Sequence, residues 1–354
     1  LWEKVFERMK SENLTRFQDE GDNAGCWILP IENEDDKILV RSNGVATYVA
    51  KDIPYAAWKL GVLNDPFNYS KYTAQSNGKV LYETTLDEAQ IPKQSFAANK
   101  VITVIDNRQA NLQKIVTDIM SKFSPESSYV HLGYEAVTLS SETAKLLGNK
   151  TDGREVQMSG RKGLYVNADE IIEKLEKRIY LESKERNISL DDASLNEIAH
   201  NVANGTIRYE LVKPDLDKII TFDINTSLKL EGDTCSYIQY SCVRAARILE
   251  KSNKKPDFNA SFDQLNTEHD LNLIKQIGMF EIFVNDAAKN YSPKVIAKYC
   301  YGLAVTFSSF YEHVKVLKAE TPELVNARLC LVLSFGLTLE KALDLLGITV
   351  PQRM

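Results

Sequence analysis

What this sequence is short of narrows its chemistry. It has four histidines, His131, His200, His269 and His313, and none stands in an HExxH or similar ligand spacing, so a histidine-held metal hydrolase has no support. The five cysteines, Cys26, Cys235, Cys242, Cys300 and Cys330, are scattered, odd in number and contain no CxxC pair. That argues against a zinc knuckle and a disulfide framework, and for buried thiols in a reducing cytosol. No GxSxG elbow, GxGxxG fingerprint or GxxxxGK[ST] loop occurs, which removes the usual signatures of serine hydrolases, dinucleotide binders and P-loop enzymes. The longest uncharged runs, YCYGLAVTFSSFY (299–311) and LCLVLSFGLTL (329–339), fall short of the ~20 residues a membrane span needs. No basic-then-apolar leader opens the sequence. A cytoplasmic protein without a membrane partner is expected.

What is present is ordinary globular material. The 354 residues are 44% hydrophobic and 26% charged, enough for two or three domains with real cores. A net charge of -6 argues against indiscriminate nucleic-acid binding but leaves room for a local basic surface. The charge is uneven: residues 228–354 carry 15 Lys and Arg against 14 Asp and Glu, and the rest 28 against 35.

The patterning changes along the chain. Residues 1–20 suit a charged amphipathic helix, and Trp27–Pro30 and Lys37–Arg41 alternate as strands do. The stretch TYVAKDIPYAAWKLG (47–61) reads as a strand running into a helix, with Pro54 in the first turn. Residues 62–100 are polar and rich in turn formers, an inserted module with a hairpin at Asn77-Gly78. VITVI (101–105) is the kind of apolar run found in a buried parallel strand. After a turn at Asp106–Gln109, Leu112, Ile115, Val116, Ile119 and Met120 recur at helical spacing. Tyr134–Leu139 supplies a further strand. Residues 1–175 thus read as part of an open α/β sheet whose ligand end lies just beyond VITVI. Helices are expected over 169–186 and 195–212 and dominate from about residue 226, with Pro293 and Pro322 at helix starts.

One loop stands out, in VQMSGRKGLYVNADEII (156–172). Its glycines allow close backbone approach, and Arg161 and Lys162 put two cations there. Such a loop can fold over a polyphosphate and meet charge that builds up in a transition state. It can equally be a solvated strand-to-helix connection, with Asn167 or Asp169 capping the next helix.

The segment QMSGRKGLYVNADEII resembles the KMSKS loop of class I aminoacyl-tRNA synthetases, in the form seen in arginyl-tRNA synthetases. VRSNGVATYVAKDIPYAAWKLG (40–61) resembles that family's R-S-D-G-T-x-T-Y-x-x-x-D-I-A-Y stretch. FDINTSLKLEGDTCSYIQYSCVRAARIL (222–249) resembles its Y-I-Q-Y-x-x-x-R helix. FSSFYEHVKVLKAE (307–320) and LDLLGITVPQRM (343–354) resemble its closing helices. These motifs recur in order along nearly the whole chain.

The resemblance implies a fold: a partial Rossmann-like α/β catalytic domain over 1–175, with an insertion at about 62–100 like that of archaeal forms. Connecting helices over 176–225 and an all-α anticodon-binding bundle over 226–354 would follow. It implies that arginine attacks ATP, with Mg2+ accompanying the nucleotide, to give arginyl-adenylate and pyrophosphate. The arginyl group then passes to arginine tRNA. Ser159, Arg161 and Lys162 would act in the loop over 157–163, with Met158, Ser159, Gly160 and Lys162 binding ATP. Gln157 and Gly160 stand where many class I enzymes have lysine. Tyr48, Asp52 and Gln109 would hold the arginine. A carboxylate is the expected partner for a guanidinium, although Asp52 also fits a helix N-cap and Tyr48 a core position. Tyr311, Arg244, Arg247 and Lys318 would bind the tRNA. Phe307, Phe310 and Tyr311 share one helical run, so Tyr311 is open to a stacking role or a core role.

The family's H-I-G-H motif does not occur in this sequence. The expectation is therefore a monomeric C-terminal portion of a synthetase. It would need the missing N-terminal half as partner and would be inactive alone, since positioning dominates such catalysis. A freestanding tRNA-binding paralogue without catalysis, or a helical interaction module, are the alternatives.

Overall fold

Apolar residues at helical spacing in WEKVFERMKS put Val5 and Met9 on one face, and α1 (Trp2–Ser11) buries both. This helix opens the first of two compact units, Leu1–Tyr134 and Glu135–Met354. The structure is a computed structural model. It describes every residue except 32–34, 89–90, 92–96, 149–155, 158–166 and 187–188, and of 156–157 the backbone alone.

In the first unit β1 (Arg16–Phe17), β2 (Trp27–Leu29) and β3 (Lys37–Val40) form an antiparallel sheet in that order. The next segment differs from the expected strand-into-helix. Helix α2 (Tyr48–Lys59) already begins at Tyr48, and Pro54 lies inside it. A mid-helix proline leaves a carbonyl one turn back without its amide partner. Burial of Ala50, Ile53, Ala56 and Ala57 along one face outweighs that loss. The inserted module contains the expected hairpin, β4 (Asn68–Ala74) with β5 (Val80–Thr85). Its turn uses Gly78 at φ +79°, a conformation natural to glycine.

Strand β6 (Lys100–Asp106) runs parallel to β7 (Ser128–Tyr134), joined through a 3-10 turn (Asn107–Gln109) and α3 (Ala110–Phe123). The periodicity read from sequence holds: Ile115, Val116, Ile119 and Met120 are buried with Val101 and Tyr129 in one core. VITVI, however, is not covered on both sides. Ile102 and Val104 are 44% and 61% exposed, because alternate residues of a strand face opposite ways and this core takes only one face.

The second unit starts forty residues earlier than the expected change of character at 175. The reason is strand pairing. Strand β8 (Val137–Leu139) bonds in parallel to β10 (Ile220–Phe222) and antiparallel to β9 (Val156–Gln157). Helix α4 (Ser141–Leu146) follows β8, and Leu139 packs with residues of α5 (Ala168–Arg186) and α6 (Asp192–Val212), including Leu175, Ile179 and Ile198. The parallel pairs thus sit in different units, not in the single sheet read over 1–175. Asn167 does cap α5, its Oδ1 accepting from the Asp169 amide at 3.1 Å.

After the short α7 (Ile224–Ser227) the chain is helical: α8 (Cys235–Ser252), α9 (Glu268–Gly278), α10 (Phe280–Asn290), α11 (Pro293–His313) and α12 (Pro322–Leu345). Pro293 and Pro322 each open a helix, where their missing N–H costs nothing. The Thr321 hydroxyl accepts from the Leu324 amide at 3.1 Å, closing the start of α12. The core stacks Phe307 on Phe335 at 3.8 Å between ring centres. By length and composition α12 could cross a membrane. Its Leu329, Val332, Phe335, Leu339 and Leu343 are instead buried in this core. All five cysteines are free and buried, Cys26 in the first unit and the others in the second. Burial pushes the thiols of Cys235, Cys242, Cys300 and Cys330 up.

Candidate functional site

Helix α2 carries two of the three expected arginine contacts. Tyr48 and Asp52 are four residues apart and share a face. Tyr48 is 80% exposed, which removes the core reading. Asp52 sits in the second turn of α2, since Thr47 holds the N-cap position; the capping reading is removed as well. The third expected residue, Gln109, ends the exposed 3-10 turn before α3.

The glutamine that reaches Asp52 is one helical turn further on. Gln113 is fully buried, and its Nε2 donates to Asp52 Oδ2 at 3.2 Å. The Tyr129 hydroxyl of β7 donates to Gln113 Oε1 at 2.9 Å. Burial pushes the Asp52 carboxyl above its ordinary value, opposed by the Gln113 hydrogen bond and by the Lys59 ammonium. Lys59 is itself lowered by burial. A half-buried carboxylate beside an open tyrosine is suited to a planar cation. Sequence reasoning missed Gln113, although a glutamine inside the apolar stripe of α3 is a readable irregularity. Nearby, Asp106 at the end of β6 is taken by its neighbour: two hydrogen bonds from the Arg108 side chain hold its carboxyl down at about 2.

Met158, Ser159, Gly160, Arg161 and Lys162 lie outside the described residues. Among the described residues, no cluster of three or more His, Cys, Asp or Glu could hold a metal ion.

The bundle holds the second site. Phe307 and Phe310 are fully buried while Tyr311 is 44% exposed, so the helical run divides into two core rings and one surface ring. The Arg244 guanidinium lies between two tyrosines, 4.6 Å from the Tyr311 ring centre and 4.8 Å from that of Tyr240. Cation–π contact with both rings restrains this long side chain. Arg247 donates to the Met354 carbonyl at 3.3 Å. Tyr240, Arg244, Arg247, Lys251 and Tyr311 line a cavity of about 320 Å³. Three of the four expected tRNA contacts therefore share one pocket. Lys318 is exposed but does not line it, and Lys251 supplies a cation there that sequence reasoning did not select. Positions 240, 244, 247 and 251 recur at helical spacing, the signal that would have found Tyr240 and Lys251. Gln239 of the same helix is buried and tied to the Thr349 carbonyl at 2.8 Å, a structural role.

Residues 238–354 match the DALR anticodon binding domain family. The arginine–tRNA ligase of Thermococcus sibiricus is 32% identical, the alignment covering all of this chain and 55% of that protein. That of Deinococcus radiodurans is 32% identical over 98% of this chain and 58% of its own length. The solved Thermus thermophilus arginyl-tRNA synthetase superposes with a TM-score of 0.84 at 30% identity, covering all of this chain and 58% of that one. The chain thus spans a little over half the length of the relatives it matches, with an α/β segment followed by a helical anticodon-binding domain, and along its whole length it is similar to arginyl-tRNA synthetases.

Proposed function

We propose that this chain carries the arginine-holding and anticodon-reading parts of an arginine–tRNA ligase. The observation that carries the reading is the pocket of Tyr311, Arg244 and Arg247 within the matched anticodon-binding domain. An exposed ring braced by a guanidinium offers a face for an unpaired base, and the flanking cations offer partners for phosphates. Arginine would place its guanidinium against Asp52 and Tyr48, with Gln109 as a further contact. Its carboxylate would attack the α-phosphate of ATP, Mg2+ accompanying the nucleotide. Ser159, Arg161 and Lys162, with Met158 and Gly160, would steady the phosphates as negative charge develops. Pyrophosphate would leave, and the arginyl group would then pass from the adenylate to a hydroxyl of the terminal ribose of the tRNA, releasing AMP.

Formation of adenylate needs an opposing half-site, which the H-I-G-H-bearing part of a synthetase would supply, so the chain alone is expected not to charge tRNA. Arginyl-tRNA made by the purified chain would overturn that. The anticodon reading is tested by binding to arginine tRNA and to the same tRNA with a replaced anticodon, at two salt concentrations. Tighter binding to the native anticodon is expected, with both affinities falling as salt rises. Equal binding would leave this bundle without an anticodon-reading role.

Asp52 gives a separate test. Its carboxyl is raised above the ordinary range by burial, so ionising it inside the fold opposes stability. The stability linked to its protonated form is fully present below the unfolded-state value and lost as pH rises through the higher folded one. Asp52→Asn is therefore expected to leave the first unit as stable as wild type, or more so, at neutral pH. The gap should close as pH falls toward 4, about the ordinary carboxyl value. Arginine binding should be lost. Thermal unfolding against pH, with arginine titration at neutral pH, measures both; a variant less stable at pH 7 would contradict the assignment.

A further inference from the structure

We propose that Gln113, with its amide orientation locked by Tyr129, is the positioning residue of the guanidinium site, holding the Asp52 carboxylate in one orientation on α2. The inference rests on the arginine reading above and adds to it two residues which that reading does not contain.

The argument is one of donor and acceptor counting. An ionised carboxylate only accepts. The amide group facing Asp52 must therefore be the NH2 of Gln113, as the 3.2 Å contact to Oδ2 has it. That turns Oε1 toward Tyr129, whose hydroxyl must then donate, at 2.9 Å. One amide proton of Gln113 and the hydroxyl proton of Tyr129 thus have assigned acceptors, and the relay runs in one direction from β7 through α3 to α2.

Burial makes the arrangement matter. Gln113 has no exposed surface and Tyr129 is 9% exposed. Without these hydrogen bonds the buried Gln113 amide would lose its partners beside the apolar core that holds Tyr129, Val116 and Ile119. The charged or titratable groups that act on Asp52 are Lys59 on its own helix and Tyr129 on β7. Lys59 is held beside the Tyr55 ring, its ammonium 3.9 Å from the ring centre.

Gln113 engages Oδ2 and no other protein donor in the described residues bonds Oδ1. A guanidinium approaching past Tyr48 thus meets a carboxylate already fixed in rotation. Less side-chain freedom is then lost when the cation binds.

The test is the titration of the Asp52 carboxyl carbon by NMR in the full chain, without arginine, in wild type, Gln113→Met and Tyr129→Phe. Gln113→Met fills the same space without the donor. The expected midpoint rises by about 1 pH unit, since a hydrogen bond to a charged group is worth about 1.5 kcal/mol or more and one unit is 1.36 kcal/mol. Tyr129→Phe, the milder change, should move it in the same direction by a smaller amount, because the amide loses its lock. Amide spectra establish that both variants are folded. A midpoint unchanged in Tyr129→Phe would overturn the proposal: that variant keeps the ring and removes only the hydroxyl, so its shift reports the hydrogen-bond chain rather than a change in burial, which also moves a carboxyl titration. Adding arginine to wild type then tests the underlying reading separately. A shifted midpoint in the variants with no arginine effect on the Asp52 signal would keep the relay and remove its ligand.

Discussion

Asp270→Ala is expected to destabilise the helical unit by about 3–5 kcal/mol, the range for breaking a buried ion pair by removing one partner. Asp270 has no exposed surface, and its carboxylate receives the Arg328 guanidinium through two bonds of 3.3 Å. It also accepts from the Thr267 hydroxyl at 2.6 Å and closes the capping box at the start of α9. Removal leaves Arg328, itself 8% exposed, as an uncompensated buried cation. For a unit of this size the unfolding midpoint should fall by roughly 10 °C. The Asp270→Leu, Arg328→Met double variant should recover most of the loss, because two apolar side chains leave no charge unpaired. Thermal and denaturant unfolding of wild type, Asp270→Leu, Arg328→Met and the double variant completes the cycle. A single variant as stable as wild type would show that the pair contributes nothing. The loss is also expected to reach the Tyr311 pocket: Arg328 Nη1 donates to the Lys315 carbonyl at 3.4 Å, and neighbouring Val314, Val316 and Leu317 line that pocket.

Tyr311→Ala is expected to weaken binding of arginine tRNA by roughly 5- to 150-fold, the equivalent of about 1–3 kcal/mol for one stacked base. The loss should be the same at low and high salt, since a neutral ring releases no counterion. Arg244→Ala should weaken binding comparably by a different route. It removes a phosphate partner and also the group that braces both Tyr240 and Tyr311. Its mark is a salt dependence shallower by about 0.7 in log–log slope per lost contact to single-stranded RNA. Filter binding across a salt series separates the two. Tyr311→Ala binding as tightly as wild type would remove the ring from the interface.

The helical half was legible in the sequence because its signals are local. A proline at each helix start, a threonine cap and a 3.6-residue apolar repeat place α11 and α12 without knowledge of their neighbours. Tyr311 was selected from sequence, but its exposure depends on how α11 rolls against the core, which Phe307 and Phe310 decide. The start of α2 was misread because Thr47, Tyr48 and Val49 favour a strand locally. The buried face of Ala50, Ile53 and Ala57 decides for a helix only once α3 is in place. Gln113 interrupts the apolar stripe of α3 visibly, but its role was hidden for the same kind of reason. Its partner is 61 residues earlier, and nothing between them in sequence predicts that α2 and α3 meet at those two residues. The division at Tyr134 depends on β8 finding β10 some 80 residues on, a pairing that no window on the sequence contains.

The distribution of buried thiols gives the protein five internal clocks, one in the first unit and four in the second. Cys26 is the cysteine of the first unit, and Cys235, Cys242, Cys300 and Cys330 belong to the second. None can be alkylated until the structure around it opens. The labelling rate of Cys26 therefore times the opening of one unit and the other four time that of its neighbour, each resolved by peptide mass in a single sample. An event that loosens the helical unit, such as loss of Asp270, should speed four clocks and leave the fifth running at its own rate.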